Sequence, residues 1–171
     1  TAEGESLWKM QRRAAYLILS SLHRFEKNIE SAHLPYENAL SVRTEGISFR
    51  GSAPDEIDED KSLSGAFIAA DKVKYWHSLT NQGGGNGDVA ALTYIYEQIK
   101  KEFESEKKQN KKDSRLRLVF ACSDGGPDNP VLVQQLAEEL WKLNAVVVGI
   151  GLTQTARSVP EIYNTPYSRG D

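Results

Sequence analysis

Two short stretches of this chain gather the oxygen atoms that a binding site would need. One is Ser123-Asp124-Gly125-Gly126, followed closely by Asp128. The other is the glycine-rich run over residues 81–88, which carries Gly85, Asn86 and Asp88. Glycines such as Gly85 and Gly125 let a backbone come close to a ligand and turn its amides inward. Asp124, Asp128, Asn86 and Asp88 offer carboxylate and amide oxygens, which a hard cation such as magnesium takes together with retained water. His23, His33 and His77 are scattered and Cys122 is alone, so nothing here suits zinc. Each donor also has a plain structural use. Asp124 can close an Asx-turn with Gly125, and Ser123 can serve that turn. Asn86 tolerates a left-handed turn position, and Asp88 can cap the helix that follows it.

The strands and helices that would hold these donors are visible as hydrophobic patterns. Residues 116–122 and 145–150 are apolar, β-branched-rich runs flanking one amphipathic helix. The first run ends at Ser123, so Asp124 stands at the carboxyl end of a strand, where open α/β sheets place ligands. The unit reads as strand, ligand loop, helix, parallel strand. Asn129 caps its helix with Pro130 at the first helical position, and the buried stripe is Leu132 or Val133, Leu136, Leu140 and Leu143. Val89, Leu92, Tyr96, Ile99 and Phe103 mark a long helix after the glycine-rich run.

Upstream, Leu7, Met10, Ala14, Ile18, Leu22 and Phe25 recur at helical spacing over residues 6–27, with Leu17 widening the stripe. Residues 39–50 alternate as a strand bent at Gly46. Residues 52–61 are acidic and carry Pro54, which predicts a surface loop. A short helix is expected over residues 69–79 and one more helical turn over 159–164. A helix followed by strands alternating with helices predicts an α/β fold, Rossmann-like and doubly wound, with a mostly parallel sheet covered on both faces. The first helix has no strand before it, although a crossover needs one on each side. The sheet therefore lacks a first member within this chain.

Composition narrows the function. The chain has 171 residues, enough for one domain with a full core, and a net charge of −3 that gives no broad pull towards nucleic acid. The basic cluster at residues 107–112 reads as a solvated connector. One cysteine excludes an internal disulfide and no Asn-x-Ser/Thr sequon occurs, which leans towards a reducing, cytoplasmic setting. No apolar run approaches a membrane span, and no signal peptide is visible. Cys122 packs inside after its apolar run, and Trp8, Trp76 and Trp141 read as core or half-buried helix residues. The terminal Arg169-Gly170-Asp171 is a tripeptide that chance produces often.

The segment LVFACSDGGPDNPVLVQQLAEEL with VVVGIG resembles the fourth strand, Asp-Gly loop, helix and fifth strand of von Willebrand factor A domains. GGGNGDVAAL is similar to that family's Gly-Gly-Thr-Asp…Ala-Leu segment, and GESLWKMQRRAAYLILSSLHRF to its first helix. The closest flavour is the bacterial intracellular, cobaltochelatase-like group, whose members work with AAA+ ATPases. The resemblance covers residues 1–164 and implies a metal-ion-dependent adhesion site built from three loops. Asp124 matches the aspartate of the third loop. Asn86 stands where the second loop has Thr. Thr1 stands at, or one residue past, the last hydroxyl of Asp-x-Ser-x-Ser. The implied ligand set is Thr1, Asn86 and Asp124 around magnesium, or manganese or calcium, with Gly85, Asp88, Ser123 and Gly125 in the ligand loops. The family also implies that this one domain over residues 1–171 is clipped at both ends. Its central first strand would then come from another segment or chain.

Three functions follow as expectations. The first is a non-enzymatic protein-binding module, in which a partner's acidic side chain completes the metal shell and the partner is an AAA+ ATPase or its client. The second is a structural module with a vestigial site, because Asn replaces Thr and the first loop is not visible. The third is a hydrolase or phosphoryl-transfer domain using Asp124. It is disfavoured by the lack of a Gly-x-x-x-x-Gly-Lys-Ser/Thr loop, a Gly-x-Ser-x-Gly elbow and an Asp-x-Asp pair.

Overall fold

The computed structural model describes residues 7–32, 41–49, 51, 57–65, 67–79, 87–109 and 115–164. The fold is mixed α/β: α1 (Leu7–Ser31), β1 (Thr44–Phe49), β2 (Ile57–Ser64), α2 (Ala69–Ser78), α3 (Asp88–Lys108), β3 (Arg117–Ser123), α4 (Pro130–Lys142), β4 (Ala145–Gly151) and α5 (Val159–Tyr163). No helix among the described residues is long and apolar enough to cross a membrane. The chain divides into two compact units, residues 1–48 with 58–82 and residues 49–57 with 83–171.

The second unit is organised by β3 and β4, which pair in parallel from Arg117 opposite Ala145 to Ser123 opposite Gly151. The strand–loop–helix–parallel-strand reading is therefore correct. Asn129 caps α4 by accepting from the Leu132 amide at 3.1 Å, with Pro130 at the start of the helix. Asn144 takes a φ of 58° just past the helix end. Asn tolerates that left-handed position, which stops the helix and turns the chain into β4.

The core of this unit is Leu92, Val133, Ala137, Leu140, Ala145, Val147, Val159 and Tyr163, with Val119 and Ala121 of β3 packed against it. Val133, Ala137 and Leu140 are thus the buried positions of α4, with Leu136 at their edge. Val146 and Val148 point the other way and are half-buried, as the alternation of a strand requires. α5 lies so close to β4 that a Cβ at Gly149 would stand 2.7 Å from the Val159 carbonyl oxygen. Only glycine lets helix and strand meet there.

The first unit packs aromatic side chains. Leu19, Phe67 and Tyr75 are buried, with Ala15, Tyr16 and Leu79 against them. Tyr16 meets Trp76 edge to face at 5.5 Å, and the Arg12 guanidinium stacks over Trp76 at 4.1 Å. The stripe expected on α1 is corrected here. Leu17 and Phe25 are exposed, and the buried positions are Leu19 and Glu26. The aromatic side chains of α2 and its approach take the face of Ala15, Tyr16 and Leu19. Glu26 can be buried because it accepts from the Val42 amide at 2.7 Å. Gly46 marks a seat for a ring rather than a bend, since a Cβ there would collide with the Tyr75 side chain.

The acidic stretch read as a surface loop over residues 52–61 is also corrected, because from Ile57 onward it is strand β2, paired with β1. Lys61 is buried at 7% exposure, and its ammonium donates to the carbonyls of Thr44, Ser62 and Ser64 and to the Ser64 hydroxyl. Those acceptors are what allow so charged a segment to form a strand.

Candidate functional site

The site is built at the carboxyl end of β3. Ser123 is buried there, and its hydroxyl donates to the Gly125 carbonyl at 2.8 Å. That bond closes the turn, a role open to Asp124 on sequence grounds. The backbone is then tied to the segment after β4. The Leu152 amide donates to the Ser123 carbonyl at 3.0 Å. The Thr153 and Thr155 hydroxyls donate to the Asp124 carbonyl at 2.7 and 2.9 Å. Asp124 is thus held by its main chain, and the residue is half-buried. Sequence reasoning missed Thr153 and Thr155. The signal was present, as a pair of hydroxyls following the parallel neighbour strand at the same sheet edge.

Asp88 is the first residue of α3 and Gly87 is the cap, so the expectation of Asp88 as N-cap is corrected. Its side chain is only 2% exposed and accepts a hydrogen bond from the Tyr163 hydroxyl of α5. Burial raises the Asp88 pKa above the ordinary carboxylate range, and the charges of Asp128 and Asp124 push the same way. The Tyr163 bond and the residue's own backbone amide oppose this. Asp124 and Asp128 therefore lie near enough for their charges to be felt at Asp88. A carboxylate buried beside two others is a local concentration of negative charge. Tyr163 is shifted strongly upward, first by its own burial and then by Asp88, so it remains the donor.

Gly87 is held from the other side. A Cβ at this position would collide with the Gly51 carbonyl. The first turn of α3 is therefore fixed by a close backbone approach at one residue and a buried hydrogen bond at the next. Beside it a groove of about 710 Å³ runs along α3, from Val89 and Thr93 to Glu97 and Lys101, with Asp128 and Leu132 on its other wall.

Of the residues singled out by sequence, Asp88, Ser123, Asp124 and Gly125 fall at this edge, while Thr1, Gly85 and Asn86 lie outside the described residues. Among the described residues no group of three or more His, Cys, Asp or Glu side chains converges as a direct metal cage. Burial pushes the Cys122 thiol up to about 11, so it stays protonated and unreactive at neutral pH. No protein-family model matches the chain, and a search of curated proteins finds no match either.

Proposed function

We propose that this chain is a von Willebrand factor A-type domain, doubly wound, that engages an acidic side chain of a protein partner through a bound divalent cation. The observation that carries the reading is Asp124, at the carboxyl end of a parallel strand, with its backbone clamped by two threonine hydroxyls and the residue as a whole only half-buried. A residue fixed this way has little main-chain freedom left to lose on binding.

The donor chemistry fits a hard cation that keeps much of its water. Asp124 and Asp128 add negative charge felt at Asp88, and a hard cation takes such oxygens together with retained water. In this reading Thr1 and Asn86 hold the cation and Asp124 acts mainly through a water. The cation, magnesium or else manganese or calcium, supplies an open coordination position for the partner's carboxylate. Ser123, Thr153 and Thr155 hold the Asp124 loop in shape. Gly85, Asp88 and Gly125 shape the ligand loops. The partner is an AAA+ ATPase or its client, the setting is cytoplasmic, and no bond of the partner is made or broken. Another segment or chain supplies a strand beside β3, which has one strand neighbour among the described residues.

A second reading is a structural module with a lapsed metal site. It is favoured by the lack of a direct carboxylate cage among the described residues. Isothermal titration with magnesium separates the two. The proposal expects binding that Asp124→Ala weakens and Asn86→Thr strengthens. Heat-silent titrations of wild type and Asn86→Thr alike would leave the structural module standing.

A further inference from the structure

We propose that the exposed face of α1 is a docking surface for an acidic amphipathic helix of a protein partner. None of its residues belongs to the cation site proposed above, and docking there needs no bound cation. α1 has two apolar faces. On one, Ala15, Tyr16 and Leu19 pack with Phe67 and Tyr75. On the opposite one, Met10, Leu17 and Phe25 are 37%, 62% and 53% exposed. Large apolar side chains scattered singly on a surface need no partner. These three instead stand in one row of a single helix, at intervals of about two turns. From Met10 to Phe25 the row runs about 22 Å, long enough to seat roughly four turns of another helix.

Shape and charge select the occupant. Met10, Ala14, Leu17, Ser21 and Phe25 follow one another at steps of four, three, four and four, close to the alternating steps of a coiled-coil seam. Large side chains alternate with the small Ala14 and Ser21, which leaves holes for the knobs of a facing helix. Arg13 and Arg24 lie exposed along one flank of this row, and Lys27 beside them is matched by Glu30 at 2.8 Å. The flank is therefore cationic on a chain whose net charge is −3. Charges at that place in a helix pair set partner choice, and carboxylates on the partner complement these. A second copy of this chain fits poorly. In a symmetric pair the face meets itself, so Arg13 and Arg24 of one copy would come opposite arginines of the other in either helix direction, a juxtaposition of like charge that costs affinity. A lipid surface also fits less well than a helix. A bilayer favours a continuous apolar face, and the exposed Ser21 and Asn28 interrupt this one.

The test is fluorescence anisotropy on the full chain with two labelled peptides of designed sequence, each four heptads long. Both carry Leu at the seam positions, one with Glu on the flanks and the other with Lys. Like charges on its flanks keep each peptide from pairing with itself. Wild type should bind the Glu peptide about tenfold or more tightly than the Lys peptide. Leu17→Gln should weaken binding of the Glu peptide by about tenfold or more. Arg24→Glu should weaken the Glu peptide and strengthen the Lys peptide. Leu63→Gln, at an exposed apolar side chain of β2, should change neither. All three substituted side chains are exposed, so the melting temperatures should stay near that of wild type. Failure of wild type to bind the Glu peptide, or equal affinity for the two peptides, overturns the inference. So does self-association seen by sedimentation, or binding to phosphatidylserine vesicles, that Leu17→Gln abolishes and the Glu peptide does not compete away. The face would then belong to a second copy or to a membrane.

Discussion

The strands β2 and β4 are of similar length and were not equally visible. β4 reads AVVVGIG and buries Ala145, Val147 and Gly149 on one face. β2 reads IDEDKSLS and buries Asp60 and Lys61, two neighbouring charged residues. The first strand is explained by its own side chains, which leave water wherever a sheet and helices are at hand. The second is explained by acceptors elsewhere, above all the Thr44 carbonyl that takes a hydrogen bond from Lys61 at 2.6 Å. An apolar run announces its place, whereas a charged strand exists only through partners that no local pattern reveals.

If that contrast holds, the two units should respond differently to substitution. The largest effect is expected in the apolar core of the second unit. Leu140 is fully buried, so Leu140→Ala should cost about 2–5 kcal/mol in urea unfolding, while the exposed Leu63 of β2 can become Ala for less than about 0.5 kcal/mol. Next comes the polar anchor of the first unit. Lys61→Met keeps the aliphatic length and strips the donor from four oxygens, and a loss of roughly 1–3 kcal/mol is expected. A Lys61→Met variant as stable as wild type would show that β2 is held by pairing alone and would erase the contrast. Smaller still is Asn129→Ala, which removes the cap of α4 and should cost about 1 kcal/mol by thermal melting.

The finest effect is a pH profile. Because burial raises the Asp88 pKa, the folded chain holds that proton more tightly than the unfolded chain. The stability this gives is complete below the ordinary carboxylate value of about 4 and is lost as pH rises through the raised value. Asp88→Asn should flatten this part of the curve in denaturation series run across that window. An unchanged slope would show that Asp88 does not titrate there.

These differences explain what could be read in advance. The β3–α4–β4 unit was legible because its strands are nearly continuous apolar runs and its helix carries both a cap and a Pro at its start. The phase of α1 was not, since its stripe offers several apolar faces and the aromatic side chains that select one lie more than forty residues away, at Phe67 and Tyr75. At the site, the Asp124 turn was legible from Ser123-Asp124-Gly125-Gly126. Its bracing was not. Thr153 and Thr155 meet Asp124 only once β3 and β4 lie side by side, and the Tyr163–Asp88 bond joins two helices that share no local signal. The carboxylate was visible as chemistry, and its supports became visible only as geometry.

The measurement that tests the central claim most directly is amide hydrogen exchange with and without magnesium, read separately over the two units. Magnesium should slow exchange at residues 123–129 and in the first turn of α3. Exchange in α1, β1, β2 and α2 should remain unchanged, and Asp124→Ala should abolish the protection. Exchange that is the same with and without magnesium across residues 123–129 would contradict it, as would protection that survives in Asp124→Ala.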